Sequence, residues 1–281
     1  MMTMSRRGFL AGVGLGAAGL CCGGLLSACA SPDTTDDTAA STPAYVSPYD
    51  LSGITFDDAG RATYVEGGKV CSKTCVDVSD HQGAIDWLSV AEDGIDIAIV
   101  RIGYRGTSEG SVHADKRFKL NLAGAKAVGL QVGAYMFSQA ISDSEADEEA
   151  GFALDALGGD SLDLPLVYDL EPAGTPGTRA ADLTVDQATS NASVFCKRVA
   201  DAGYKPMIYG NGGDIARVDL TRLSSYPVWY AEYETTVPAG QFDFCMWQYS
   251  ESGSVSGISG GADLSLYFTD DCADRPWKDA V

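Results

Sequence analysis

Strand-like and helix-like patterns alternate from Thr74 to Phe268, and this alternation restricts the fold more than any other feature of the chain. The strand-like runs are 74–79, 95–102, 130–137, 164–171, 205–209, 228–233, 242–249 and 262–268. The helix-like runs are 85–93, 114–128, 143–157 and 184–202, so they fall only between the first five strands. Repeated βα units predict a parallel sheet, and eight strands are the number that closes a barrel. The sequence therefore predicts an α/β fold with a single TIM-like barrel over residues 73–281.

Two of the predicted helices begin with the spacing of a capping box. Ser142 stands three residues before Glu145, and Thr184 stands three residues before Gln187. In this motif the hydroxyl group accepts a hydrogen bond from the backbone of the later residue. The spacing therefore marks where both helices start, and Gly203 marks the end of the second one.

The fourth strand-like run ends in two carboxylates separated by one residue, Asp169 and Glu171. Side chains alternate along a strand, so both point to the same face with Cβ atoms about 6.5–7 Å apart. Each carboxylate disfavours ionisation of the other, so one is expected to keep its proton near neutral pH while the other stays charged. Acid-assisted cleavage of a glycosidic bond needs such a pair. A solvated strand end is the alternative interpretation, and the apolar run that precedes the pair argues against it.

Two more acids belong to the first and the last strand-like run. Asp77 alternates with Val76 and Val78, so its side chain points away from theirs, and in a barrel that face can be the lumen. Asp263 lies beside the apolar residues of the eighth run. Because the first and last strands of a closed barrel are neighbours, we expect Asp77 and Asp263 to lie together. An aspartate that caps the core is the alternative for Asp77.

Aromatic residues gather near the same strand ends, and the apolar faces of sugars stack on such rings. The candidates are Tyr104, Tyr135, Tyr168, Tyr209, Trp229, Tyr233, Trp247 and Tyr249. We expect Tyr135, Tyr209 and Trp229 to contact substrate, whereas Trp247 is ambiguous between cleft and core. Rings beside carboxylates are typical of a cleft that binds a glycan.

The first fifty residues predict export and a lipid anchor. Residues 5–10 (Ser-Arg-Arg-Gly-Phe-Leu) match a twin-arginine export pattern, and the apolar stretch after them is short and glycine-rich for a membrane span. Residues 26–29 (Leu-Ser-Ala-Cys) resemble a bacterial lipobox, which implies cleavage before Cys29 and acylation of Cys29. We expect a signal peptide over 1–28, a flexible tether over 29–50 and a leading hairpin over 51–72. The protein would then be anchored at the extracytoplasmic face of a bacterial membrane; an ordinary hydrophobic N-terminal helix is the alternative.

Charge and cysteine content restrict the partners. The chain has 19 Lys and Arg against 39 Asp and Glu, a formal net charge of −20, which repels phosphate backbones and argues against a nucleic-acid partner. No Cys or His grouping has the spacing of a metal site, so we expect no metal and no cofactor. Export permits disulfides, and Cys272 could reach Cys71 or Cys75 if the first and last strands adjoin. We expect a monomer.

Nine short motifs, in order and without large gaps, closely resemble glycoside hydrolase family 25. The motifs are Val76-Asp77-Val78-Ser79, Ile85-Asp86-Trp87, Val100-Arg101-Ile102-Gly103-Tyr104, Gly133-Ala134-Tyr135, Tyr168-Asp169-Leu170-Glu171, Met207-Ile208-Tyr209-Gly210-Asn211, Trp229-Tyr230-Ala231-Glu232-Tyr233, Met246-Trp247-Gln248-Tyr249-Ser250 and Asp263-Leu264. Members of this family are muramidases that cut the β-1,4 bond after N-acetylmuramic acid in peptidoglycan. The resemblance therefore implies peptidoglycan as substrate and a barrel of five βα units closed by three further strands.

The resemblance also implies roles for individual residues. The catalytic carboxylates would be Asp77, Asp169, Glu171 and Asp263. Glu171 would be the general acid, and Asp169 would orient the substrate amide or stabilise charge. The substrate-binding residues would be Tyr135, Tyr209, Trp229, Tyr233 and Gln248. The chain departs from the family pattern at Met136, where many members have histidine and a substrate contact is expected to differ, and at Ser265, where asparagine is frequent.

Several alternatives stay open at this point. The estimated separation of Asp169 and Glu171 lies near the boundary between retaining and inverting enzymes, and assistance by the 2-acetamido group of the substrate is a third route. A glycan-binding surface lipoprotein without turnover is a second class of function, because a fold does not fix an activity. A chitinase-like enzyme is a third class, but the longer acidic motif expected on the fourth strand is missing.

Overall fold

The computed structural model describes residues 45–171 and 177–269. From Val46 onward the described residues belong to one compact unit. The predicted signal peptide, Cys29, most of the predicted tether and Cys272 lie outside the described residues. Within the described ranges, no helix is both long enough and apolar enough to cross a membrane.

A small antiparallel sheet precedes the barrel, where the sequence predicts a leading hairpin. Its strands are β1 (Ile54–Phe56), β2 (Ala62–Glu66) and β3 (Lys69–Val70). Cys71 follows the sheet and is disulfide-bonded, whereas Cys75 is a free thiol, so the alternative pairing through Cys75 is wrong. The sequence also placed Tyr49 in the tether, but Tyr49 is buried and stacks on Phe268 at 4.0 Å. The packed part of the chain therefore begins before the sheet.

Nine further strands follow, and all of them except β6 close the predicted barrel of eight strands. They are β4 (Ser72–Val78), β5 (Ile97–Arg105), β6 (Val112–Ala114), β7 (Gln131–Ser138), β8 (Leu166–Leu170), β9 (Pro206–Asn211), β10 (Val228–Ala231), β11 (Met246–Gly253) and β12 (Ala262–Phe268). The strand order is β4-β5-β7-β8-β9-β10-β11-β12, and β12 pairs with β4 to close the ring. The first seven barrel strands are parallel and β12 is antiparallel to both of its neighbours. The connection from β11 to β12 is too short for a crossover, so the chain has to turn back.

The first four helices lie between the first five barrel strands, as the sequence predicts, and one short helix follows the fifth strand. They are α1 (Trp87–Glu92), α2 (Phe118–Ala127), α3 (Asp143–Leu157), α4 (Val185–Asp201) and the single turn α5 (Gly212–Ile215). The hydroxyl groups of Ser142 and Thr184 cap α3 and α4 as expected. The carboxylate of Glu145 accepts from the backbone of Ile141 rather than completing the capping box on Ser142. Past α5, the described residues form no further helix.

The small sheet packs on the outer face of the barrel where helices are absent. The ring of Phe56 lies edge-on to Tyr249 at 5.5 Å and to Trp247 at 6.2 Å. The indole nitrogen of Trp247 donates to the backbone carbonyl of Glu232, and the backbone amide of Ala62 donates to the hydroxyl of Tyr249. Trp247, which the sequence left ambiguous, therefore belongs to the outer packing layer and not to the cleft.

Candidate active site

The C-terminal ends of the parallel strands form one rim of the barrel, and the four predicted acids lie at this rim. Asp77 is the penultimate residue of β4, Asp169 is the penultimate residue of β8, and Glu171 directly follows β8. Asp263 is the second residue of β12, and because β12 is antiparallel its first residues lie at the same rim. Barrel enzymes place their chemistry at this rim.

The side chain of Asp169 faces the lumen because its neighbour Tyr168 faces the helices. The ring of Tyr168 packs on Phe195 of α4 at 5.0 Å, and its hydroxyl is hydrogen-bonded to Ser138 at 2.9 Å. Side chains alternate along a strand, so Asp169 points the opposite way. Asp169 is 2% exposed and Glu171 is 7% exposed, so neither is a solvated strand end. The alternative interpretation of the Asp-x-Glu pattern is therefore excluded.

Asp77 and Asp263 are direct neighbours across the β4–β12 ladder. Their Cα atoms are register partners, which places the Cβ atoms about 4.5–5.5 Å apart. Asp77 is 1% exposed, and its Oδ2 accepts a hydrogen bond from Nε2 of Gln248 at 2.6 Å. Two like charges this close destabilise the sheet unless donors compensate, and Gln248 supplies such a donor to Asp77.

Two other acids at the same rim have a structural role. Arg101 donates to Asp115 at 2.8 Å and to Asp80 at 2.5 Å, and Asp115 also accepts from the backbone of Asp80. This buried cation neutralises both carboxylates and fixes the turn after β4. In the described part of the chain, no group of three or more His, Cys, Asp or Glu side chains is placed to hold a metal ion.

The backbone at Glu171 is held by a neighbouring glutamine. The side-chain amide of Gln139, just past β7, donates to the carbonyl oxygens of Ser138 and Glu171. The backbone amide of Gln139 donates to Oε1 of Glu149 on α3 at 3.3 Å. The end of β7 therefore connects Glu171 to a buried carboxylate that the sequence analysis did not select.

That carboxylate forms a buried ion pair with Arg105. Nε of Arg105 donates to Oε1 of Glu149 at 2.7 Å, and other guanidinium nitrogens donate to the carbonyls of Gly110 and Glu145. Burial raises the pKa of Glu149 to about 7, although Ser138 and Arg105 oppose this shift. A signal was available in the sequence, because Glu149 falls in the buried stripe of α3. The stripe consists of Ala146, Glu149, Ala150, Ala153 and Leu157.

The predicted aromatic residues Tyr209 and Trp229 form a wall of the lumen next to Asp169. Asp169 and Tyr209 are register partners on β8 and β9, and Tyr209 and Trp229 are partners on β9 and β10. The two rings meet edge to face at 4.6 Å. Trp229 Nε1 donates to Oγ of Ser265 at 3.1 Å, so this departure from the family pattern holds an aromatic ring in place.

The remaining predicted substrate-binding residues differ in their exposure. Tyr135 lies on β7 in register with Val167, two residues deeper in the barrel than Asp169, and is buried. Tyr233 follows β10, is half-buried, and donates from its hydroxyl to Oε1 of Gln248. Gln248 itself is fully buried. Of this set, Tyr233 is the residue that a glycan can reach most directly.

Met136, which departs from the family pattern, faces away from the lumen. It is the register partner of Tyr168, which faces the helices, and it is fully buried. Side chains alternate along a strand, so Tyr135 points into the lumen and its neighbour Met136 points outward.

A closed α/β barrel with buried carboxylates and aromatic rings at one rim is an arrangement that suits the chemistry of a glycoside hydrolase. The chain belongs to glycosyl hydrolases family 25, whose family model matches residues 76–258. This match includes three of the four acids and ends just before Asp263.

Curated relatives and solved structures agree with this assignment. The chain is 30% identical over 192 residues to the autolytic lysozyme of Clostridium acetobutylicum, covering 68% of this chain and 55% of that protein. It is 29% identical over 201 residues to lysozyme M1 of Streptomyces globisporus, covering 68% and 66%. The crystal structure of a bacterial lysozyme from Streptomyces coelicolor superposes with a TM-score of 0.59 at 27% identity, covering 74% of this chain and 98% of that one. The chain thus spans about half the length of the first of these relatives.

Proposed function

We propose that this protein is a peptidoglycan hydrolase that cleaves the β-1,4 bond between N-acetylmuramic acid and N-acetylglucosamine. The observation that carries the proposal is the placement of four acids at one rim of a family 25 barrel. Two of them lie at the C-terminal end of β8, and two are paired across the ladder between β4 and β12. The names of its relatives, an autolytic lysozyme and lysozyme M1, support the same substrate.

The proposed mechanism assigns the proton transfer to Glu171. Glu171 would act as general acid on the leaving oxygen, because it is the most exposed of the three buried acids and stands at the rim. Asp169, one residue deeper, would orient the substrate amide or stabilise positive charge at the anomeric carbon. Asp77 and Asp263 face them from the other side of the barrel, with β5 and β7 between β4 and β8. Tyr209, Trp229 and Tyr233 would form the sugar-binding wall.

The test of this function is the release of new reducing ends from purified peptidoglycan by the full-length chain in detergent. We expect fragments whose reducing sugar is N-acetylmuramic acid, which borohydride reduction followed by mass spectrometry identifies. Fragments that end in N-acetylglucosamine would contradict the assigned bond. Binding to peptidoglycan without any reducing ends would favour the glycan-binding lipoprotein, and release from chitin oligomers at an equal rate would favour the chitinase-like enzyme.

We also propose that the protein is exported and is held at the extracytoplasmic membrane face by acyl chains on Cys29. We propose that it acts there as a monomer. The support is the order of the twin-arginine and lipobox patterns in residues 1–29. We expect the protein to partition into the detergent phase and to incorporate labelled palmitate in a bacterial host. The Cys29→Ser variant should lose both properties, and retention of the label in this variant would contradict the assigned anchor.

A further inference from the structure

One amide in the barrel lumen links an acid of the candidate site to two tyrosines. Gln248 lies on β11 and is fully buried. Its Nε2 donates to Oδ2 of Asp77 at 2.6 Å, and its Oε1 accepts from the hydroxyl groups of Tyr209 at 2.6 Å and of Tyr233. Asp77 is on β4 and Tyr209 is on β9, so the side chain reaches over an intervening strand on each side. Such reach is available only on the concave lumen face.

The chemistry of the partners fixes which end of the amide faces which group. An ionised carboxylate only accepts hydrogen bonds, so the NH₂ end has to face Asp77. The carbonyl end then has only lone pairs to offer, so both tyrosine hydroxyls have to donate to it. The single amide therefore sets the direction of three hydrogen bonds at once. It also holds Oδ2 of Asp77 at a fixed position beside Asp263.

We propose that Gln248 is a positioning residue of the active site, instead of the substrate-binding residue that the sequence leads us to expect. It holds the carboxylate of Asp77 and turns the hydroxyl hydrogens of Tyr209 and Tyr233 inward, away from the sugar. Its amide oxygen and one amide hydrogen are occupied by protein groups, and its surface is closed to a ligand. The part of this inference that concerns turnover rests on the proposed function.

Two substitutions of Gln248 distinguish its role as hydrogen-bond acceptor from its role as hydrogen-bond donor. Gln248→Met keeps the length of the side chain and removes both. Gln248→Glu keeps an acceptor for the two tyrosines, but it can donate to Asp77 only when its new carboxyl is protonated. The titratable groups that face this position are Asp77 on β4, Asp263 on β12, Tyr209 on β9 and Tyr233 after β10. The two aspartates favour the protonated form of an introduced carboxyl.

We expect Gln248→Met to lower kcat on peptidoglycan by up to about 100-fold, the loss that a small misplacement of a reacting group can cause, with KM within about threefold. Gln248→Glu should be equally impaired at pH 8 and should recover relative to Gln248→Met as the pH falls toward 5. A rise in KM at unchanged kcat would overturn the proposal in favour of substrate binding. Equal losses for both variants at every pH would overturn it in favour of a purely structural role.

A second measurement tests the contact without turnover, so that the two proposals can fail separately. In the full-length chain, the side-chain NH₂ signal of Gln248, assigned by its absence in Gln248→Met, should shift in ¹H–¹⁵N spectra of Asp77→Ala. An unchanged chemical shift of the Gln248 signal in Asp77→Ala would overturn the positioning role. If Asp77→Ala shifts the Gln248 signal but the wild-type chain releases no reducing ends, the proposed function is refuted and the positioning contact stands.

Discussion

Glu171→Gln is expected to lower kcat on peptidoglycan by about 10³-fold or more, while KM changes little. The amide has the shape of the carboxyl group but cannot supply a proton to the leaving oxygen, and general acid catalysis contributes about 10²–10⁴-fold. The backbone at this position should stay in place, because Gln139 holds the carbonyl oxygen of Glu171 and not its carboxyl group. The measurement is the initial rate of reducing-end release over a range of peptidoglycan concentrations, with thermal unfolding of the same sample.

The matched control for this variant is Asp201→Asn. It also removes one carboxylate, but Asp201 is exposed at the end of α4, where it pairs with Lys197 on the same helix. We expect wild-type rates and a Tm within about 1 °C, because exposed ion pairs of this kind contribute little. Near-normal turnover by Glu171→Gln would remove Glu171 from the proton-transfer role, and a large fall in its Tm would leave the rate loss attributable to misfolding.

Arg105→Met is expected to destabilise the fold by about 3–5 kcal/mol at neutral pH, because it leaves Glu149 buried without its cation. For a domain of this size the loss corresponds to a fall in Tm on the order of 10 °C. The double variant Arg105→Met with Glu149→Leu should recover most of the loss, because apolar replacements of a whole buried pair are frequently neutral. Arg222→Met, which removes an exposed pair with Asp186, should cost less than about 1 kcal/mol.

The deficit of Arg105→Met should widen as the pH rises. Burial raises the pKa of Glu149 to about 7 in the folded protein, above its ordinary value of 4.5, so the folded state holds this proton where the unfolded state has lost it. The contribution of Glu149 to stability therefore falls as the pH rises from about 4.5 through 7. Arg105 opposes the upward shift, so its removal leaves the folded state still more dependent on the proton. Denaturant unfolding at pH 5 and pH 8 measures this, and an equal deficit at both values would contradict it.

Local patterns in the sequence predicted the elements that have strong local signals. The bounds of α3 agree with the prediction of 143–157, because Ser142 caps its start and Gly158 ends it in the left-handed conformation. The seventh strand was predicted over 242–249 but spans Met246–Gly253. Phe242 and Phe244 caused this error: they are apolar because they pack on Tyr230 in a loop, and periodicity cannot distinguish such a cluster from a strand.

Strand-end acids were also accessible from sequence, because alternation and barrel closure place them at one rim. The contacts that hold these acids in place could not be predicted from sequence, because the contacting residues are distant from one another in the chain. Arg105 and Glu149 are 44 residues apart, and Gln248 and Asp77 are 171 residues apart. The family pattern identified Gln248 as part of the site, but a pattern does not tell which protein groups an amide contacts. Only the register of the closed sheet supplies that information.

The stacking of Tyr49 on Phe268 determines on which side of the barrel the chain enters. Phe268 is the last residue of β12 and the register partner of Ser72, the first residue of β4, so this contact lies at the end of the barrel remote from Asp77 and Glu171. The first packed residues of the described chain therefore lie at the end of the barrel opposite the rim that carries the acids, so a change at Tyr49 would disturb the floor of the barrel and leave the acids in place.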